Sequence, residues 1–264
     1  MKIGVIGVGI VGKAILSGFK ELGHDIKFHD IAMNTKLEDV LDTKLCFICV
    51  PTPSKDSGEC DSSIVESVIA DLKRKNYNGL MCIKSTVSPG VTKLFQKEYG
   101  KNICFIPEFL KERSAYEDFV YNHDLCVIGT TSDEYYKLVK QAHGHYPKKF
   151  VQLTETEAEF CKYFNNIYNA SLITFANSMY EVCKSMDVNY NNIKNAIVNR
   201  SHIHDYYLNC SEALRGFGGM CLPKDTKAMD YVAKKRGLDV EFFKNIIEEN
   251  NKYEITVFEG MRKE

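Results

Sequence analysis

The sequence predicts an α/β fold, a doubly wound and mostly parallel sheet, followed by an all-α region with a long connecting helix. Three observations predict it. Short apolar runs alternate with helix-period patterns through the first half. That alternation stops near residue 150, and only helical periodicity follows. The division predicted is residues 1–153 and residues 154–264.

Strands are expected near 2–6, 25–29, 45–50, 79–84, 102–106 and 124–128. Helices are expected between them, near 11–22, 61–75, 89–98 and 132–143. Gly23 after Leu22 suits a helix stop, and Pro89-Gly90 suits a helix start. Thr154-Glu155-Thr156-Glu157 reads as a capping box, in which a Thr hydroxyl and a Glu satisfy each other's backbone donors. A long helix follows to about Met186, with Phe160, Phe164, Ile167, Phe175, Met179, Val182 and Met186 at three- and four-residue spacing or a multiple of it. One face of a small domain does not cover such a length, so a homodimer through the helix at about 157–186 is expected. Further helices are expected near 190–200, 224–236 and 239–262.

The 264 residues suffice to bury a core, and 44% apolar with 26% charged residues is ordinary for a globular chain. A net charge of -1 supplies no global field for nucleic acid or an anionic membrane. No run of about 18 apolar residues exists to span a bilayer. Met1–Val5 reads as a strand rather than a cleavable signal, because a Gly-rich turn interrupts it. Cys46, Cys49, Cys82, Cys104 and Cys126 lie in apolar runs, where cysteine behaves as a small buried hydrophobe. Within a strand, Cys46 and Cys49 point to opposite faces, which argues against a redox pair or metal clip. A reducing, cytoplasmic compartment is expected. The histidine pairs His143/His145 and His202/His204 assemble no ligand set, so loop or surface positions and no metal are expected.

Gly7-Val8-Gly9-Ile10-Val11-Gly12 follows a strand and opens a helix. The first glycine permits the turn, the second lets backbone approach a pyrophosphate, and the third lets helix and strand pack closely. The helix N-terminus offers N–H groups and a positive dipole end. Asp30 ends the next strand, where a carboxylate accepts from both ribose hydroxyls and repels an added phosphate. This is a Rossmann-type arrangement, and NAD is the expected cofactor.

Arg215-Gly216-Phe217-Gly218-Gly219-Met220-Cys221-Leu222-Pro223-Lys224-Asp225 is the most informative stretch. Pro223 suits a first helical turn, which places Cys221 beside N–H groups that favour a thiolate. Lys224 adds a cation, and Asp225 lies about one turn on, positioned for proton handling. A Gly-rich connection with a buried Cys is the bland alternative.

GFGGMCLPKD resembles the active-site signature of the UDP-glucose and GDP-mannose dehydrogenases. Val50–Pro53 with Gly58 and Asp61, then Ser85-Thr86-Val87 with Gly90, resemble further family motifs in the same order. So do Pro107–Glu112 with Ser114-Ala115 and Asp118-Phe119, and Ala158-Glu159 with Lys162 and Asn166. The resemblance implies oxidation of a nucleotide-sugar alcohol to a uronic acid, UDP-glucose being the default substrate. It implies Cys221 as nucleophile, passing through a thiohemiacetal and a thioester. It implies Glu108, with Thr86 and Asp225, for activating water, and Lys162 and Asn166 for holding the oxyanion. Val50, Thr52, Ser85, Thr86 and Glu112 join the NAD site on the same ground. Glu108, Phe109, Leu110, Lys111, Lys162, Asn166, Phe217, Gly218 and Cys221 join the substrate site.

The sequence also departs from the family. Members normally continue past a point like Asn250-Asn251 into a nucleotide-sugar-binding domain, whereas this sequence stops at Glu264. Asp205 stands where the family often donates an Arg across the dimer, and Arg113 stands where a glycine is usual. Tyr206, Tyr207 and Cys210 occupy a segment that commonly contains glycine. Three readings therefore stay open: a working dehydrogenase of UDP-glucose, GDP-mannose or a UDP-N-acetylhexosamine; a non-catalytic NAD-binding partner of a full-length relative; and a two-electron hydroxyacid dehydrogenase.

Overall fold

The computed structural model describes residues 1–256. It divides into two compact units: Met1–Pro53 with Cys60–Lys162, and Ser54–Glu59 with the residues from Tyr163 onward.

In the first unit, strands β1 (Lys2–Ile6), β2 (Asp25–His29), β3 (Leu45–Ile48), β4 (Leu80–Ile83), β5 (Ile103–Phe105), β6 (Leu125–Gly129) and β7 (Lys149–Leu153) form one sheet. Its order is β2-β1-β3-β4-β5-β6-β7, parallel except between β5 and β6. Side chains alternate between two cores with the period of two that a pleated strand imposes. Ile3, Val5, Leu45, Phe47, Leu80 and Cys82 enter one core. Ile6, Cys46, Ile48, Met81 and Ile83 enter the other. The first core is roofed by α1 (Ile10–Glu21), α4 (Ala115–Val120) and α5 (Asp133–His143). The second is roofed by α2 (Ser63–Arg74), α3 (Val91–Tyr99) and the start of α6 (Glu155–Ser185). Each fully buried side chain such as Phe19 or Ile69 contributes about 1.5–3 kcal/mol.

β7 and α4 are absent from the expectations above. β7 is a half-buried edge strand and α4 spans 6 residues, so neither carries a long periodic signal. His143 corrects the surface expectation: it is 0% exposed, among the rings of Phe19, Phe47 and Phe119. Its α5 position faces the core, so the ring is packed as an aromatic. The C-terminal helix expected over 239–262 is shorter. It is α9 (Phe242–Asn250), and residues 257–262 lie outside the described residues.

The capping box at Thr154 forms, with the Thr154 N–H donating to Glu157 Oε2 at 2.8 Å and the Glu157 N–H to Thr154 Oγ1 at 3.4 Å. The units divide within α6, at Lys162/Tyr163, rather than at 153/154. The physical reason is that α6 starts inside the first unit. Ala158 packs into the second core, and Glu159 accepts the Thr92 N–H at 2.8 Å. Beyond Lys162, the second unit contains the rest of α6, α7 (Tyr190–Ile197), α8 (Leu222–Lys235) and α9. Its small core gathers Ala176, Cys183, Tyr190, Leu208 and Cys210. Phe164 and Phe175 along α6, and Met186 just past its end, are 77%, 57% and 69% exposed, so the described residues leave this stripe uncovered. Among the described residues no helix is long and apolar enough to cross a membrane.

Burial, reinforced by the charge of Lys84, pushes the His123 imidazole down to about 4 and the His143 imidazole well below its usual value. Both are neutral when native, whereas the unfolded chain takes up protons near about pH 6.5. Stability is therefore flat with respect to these groups above that pH and falls as pH drops from about 6.5 to about 4. Denaturant titrations across that window are expected to show the fall, and His143→Phe is expected to flatten it. An equal slope in that variant removes His143 from the effect.

Candidate functional site

Strand register levels the carboxyl ends of five strands. Ile6 pairs with His29 and Ile48, Ile48 with Ile83, and Ile83 with Phe105. The next residues, Gly7, Asp30, Cys49, Lys84 and Ile106, therefore share one edge, where open parallel sheets bind ligands.

At that edge the three glycines differ in what a Cβ would meet. Gly7 has φ +86°, and a Cβ there would lie 2.7 Å from the Cys49 carbonyl oxygen. A Cβ on Gly12 would lie 1.9 Å from the Gly7 oxygen, so only glycine lets α1 pack this closely on the turn. Gly9 has nothing within 4 Å of its missing Cβ. It is the N-cap of α1 and supplies no side-chain cap, leaving the donors of Ile10 and Val11 for an outside acceptor. Asp30 Oδ2 accepts the Val8 N–H at 2.6 Å and Oδ1 the Ala32 N–H at 2.8 Å. These bonds hold its carboxyl below the usual range and lock it to the Gly-rich turn, with further lone pairs for ribose hydroxyls. The residues present fit NAD.

Beyond β3 and β4, Ser85 Oγ donates to the Val50 carbonyl at 2.7 Å, so that hydroxyl braces the edge. The Thr86 carbonyl accepts from Cys60 Sγ at 3.3 Å, and Thr52 is half-buried. Lys84 was missed in the sequence. It is 7% exposed, and its Nζ makes no hydrogen bond or ion pair within the described residues. A lysine ending an apolar strand run was the available signal.

After β5, Glu108 sits opposite Lys162, whose Nζ bonds the Glu108 carbonyl and lies 3.8 Å from its Oε2. Their side chains are 10% and 6% exposed, so both groups are largely removed from solvent. Phe109 and Leu110 turn toward the two cores of the first unit. The Lys111 N–H donates to Asp118 Oδ2 at 3.0 Å, and Glu112 is exposed in a short turn.

In the second unit, Cys221 is exposed and caps α8, with Pro223 in the first turn. The Asp225 N–H donates to the Cys221 carbonyl at 2.9 Å. Asp225 itself is 0% exposed and accepts from Asn166 Nδ2 at 2.6 Å and Lys224 Nζ at 2.6 Å. Lys224 is thus paired with the buried carboxylate, and Asn166 orients it. Gly218 is half-buried, whereas Phe217 is 2% exposed with its backbone held by Asn250. As a substrate contact Phe217 has no outward side chain.

Asp205 accepts from Lys194 Nζ at 2.8 Å, a lysine only 8% exposed. Tyr207 takes φ +62°, the left-handed region that glycine occupies without strain.

Two family models match in tandem. The NAD binding domain of the UDP-glucose/GDP-mannose dehydrogenase family covers residues 31–146, and its central domain covers residues 156–252. The chain belongs to the UDP-glucose/GDP-mannose dehydrogenase family. Its cofactor is NAD. Among similar proteins, the UDP-glucose 6-dehydrogenase AglM of Haloferax volcanii is 30% identical over 95% of this chain and 70% of its own length. The UDP-glucose 6-dehydrogenase of Rickettsia prowazekii is 32% identical over 77% of this chain and 48% of its own. A UDP-glucose dehydrogenase structure from Pyrobaculum islandicum superposes with TM-score 0.86 at 26% identity, covering 95% of this chain and 68% of that one. The chain thus spans from about half to 70% of the length of these family members.

Gly9→Ala is expected to leave folding intact, given the open space, while weakening NAD binding at least about tenfold by filling the phosphate approach. Gly12→Ala is expected to cost at least about 2 kcal/mol of stability instead. Calorimetric titration and denaturant unfolding separate the two; tight NAD binding by Gly9→Ala places the pyrophosphate elsewhere.

Proposed function

We propose that this family member oxidises the primary alcohol of a nucleotide sugar to the uronic acid, with UDP-glucose as default substrate and Cys221 as nucleophile. The observation that carries the reading is an exposed cysteine at the N-cap of α8, backed by the buried Asp225–Asn166–Lys224 network. The names borne by the Haloferax and Rickettsia relatives support UDP-glucose, and GDP-mannose and UDP-N-acetylhexosamines are the other outcomes.

NAD, which Gly7, Gly9, Gly12 and Asp30 would hold, would supply the hydride acceptor for two successive oxidations. The first converts alcohol to aldehyde. The Cys221 thiolate then adds to the aldehyde carbon, giving a thiohemiacetal whose oxidation leaves a thioester. One water cleaves that thioester, releasing the carboxylate and the thiol. Glu108, Thr86 and Asp225 are assigned to water activation and proton transfer, and Lys162 and Asn166 to the oxyanion of each tetrahedral species. NADH absorbance with a panel of nucleotide sugars is expected to show two NADH per sugar; one NADH with a released aldehyde overturns the thioester. Cys221→Ser is expected to stall at the aldehyde level, and turnover like wild type takes Cys221 out of the role.

Two further parts belong to the proposal. The exposed α6 stripe supports a homodimer through this helix. The double change Phe164→Glu with Phe175→Glu is then expected to halve the sedimenting mass, while an unchanged mass puts the interface elsewhere. Ten cysteines, none of them disulfide-bonded, support a cytoplasmic location.

One observation favours a second reading, an NAD-binding partner of a longer relative. Asp205, where the family often carries an Arg, is engaged with Lys194. NAD binding without NADH from any nucleotide sugar selects that reading.

A further inference from the structure

The loop leading to Cys221 has no helix or strand to satisfy its backbone, yet three consecutive N–H groups each meet a side-chain acceptor. The Arg215 N–H donates to Thr256 Oγ1 at 2.9 Å, the Gly216 N–H to Asn177 Oδ1 at 3.2 Å, and the Phe217 N–H to Asn250 Oδ1 at 2.7 Å. Two bonds return from the same side chains. Asn250 Nδ2 donates to the Phe217 carbonyl at 2.9 Å, and Thr256 Oγ1 donates to the Ala213 carbonyl at 2.9 Å. Asn177 and Asn250 are 1% and 4% exposed, so these carboxamides have no water to fall back on.

The Arg215 side chain completes the arrangement. Its Nε donates to Asn177 Oδ1 at 2.9 Å, and its guanidinium lies 4.9 Å from the ring centres of both Tyr180 and Tyr253. It also pairs with Glu181. Gly216 takes φ +58°, and a Cβ there would press on Asn250 Oδ1 at 3.2 Å and touch Ile255 Cγ1 at 3.6 Å and Tyr253 Cβ at 3.7 Å. The segment from Asn250 to Thr256 therefore lies directly across the loop.

We propose that Asn250–Thr256 is a strap that positions the Cys221 loop, with Asn250 its principal positioning residue and Asn177 the fixed anchor on α6. The strap holds residues 213–217 so that Cys221, four residues after Phe217, rests at the first turn of α8. Its catalytic consequence rests on the nucleophile assignment above, whereas its physical content concerns the loop alone. Releasing the strap frees Cys221 to leave its N-cap position on α8, where the positive end of the helix dipole favours a thiolate.

The test reads the thiol rather than turnover. Cys221 labelling by iodoacetamide is followed by peptide mass spectrometry in the full chain, with Cys221→Ser as blank. Asn250→Ala and Thr256→Val are expected to slow labelling at neutral pH about five-fold and to move its pH profile upward. Thr256→Ser, which keeps the hydroxyl, is expected to restore the wild-type profile, a rescue that general destabilisation does not produce. Rates and profiles within about 1.5-fold of wild type in the folded variants overturn the strap. If Asn250→Ala fails to fold, Thr256→Val decides alone, since it exchanges one partly exposed hydroxyl for a methyl. An altered thiol together with no NADH from any nucleotide sugar leaves the strap standing and removes the proposed activity.

Discussion

The absence of a Cβ at Gly12 is the constraint on which the nucleotide-binding edge depends. With that atom, α1 would collide with the Gly7 carbonyl; without it, the helix starts directly above the first turn. Its N-terminal donors then face the carboxyl edge of the sheet, at the point where the chain runs from β1 to β2 on one side and on to β3 on the other. Asp30 is tied to this same turn through the Val8 N–H, so the carboxylate proposed to read the ribose and the turn proposed to receive the phosphates are held as one piece. Preorganisation of this kind lowers the ordering cost of binding.

The second unit solves a different problem. A Gly-rich loop approaches ligands closely because it lacks side chains, and for the same reason it cannot hold itself in place. Buried carboxamides supply the missing rigidity: Asn177 and Asn250 before the cysteine, and Asn166 on Asp225 after it. Each is nearly excluded from water, so each bond left unmade would cost the full desolvation of an amide. The loop that carries Cys221 is thus held by amides from other segments.

Charge placement follows the same economy. Lys162 faces Glu108, Lys224 faces Asp225, and Lys194 faces Asp205, in each case with the lysine largely removed from solvent. A buried unpaired ammonium is costly, and pairing is the ordinary remedy. Lys84 has no such partner among the described residues, and it sits on the edge proposed to bind the anionic cofactor.

Local pattern made much of this chain legible. Six of the seven strands, the capping box at Thr154, the glycine turn, and the cysteine ahead of Pro223 all depend on neighbours within one turn or one strand. Side-chain period and backbone freedom are local properties, so the amino-acid order alone determined them, and with them the fold class and the family. Tertiary structure decided what joins distant residues: His143 among aromatic rings rather than at the surface, β6 running against β5, Lys194 on Asp205, and Asn250 on Phe217 across 33 positions. No periodicity encodes such pairings, because a hydrogen bond between separated segments exists only after the cores that carry them have packed.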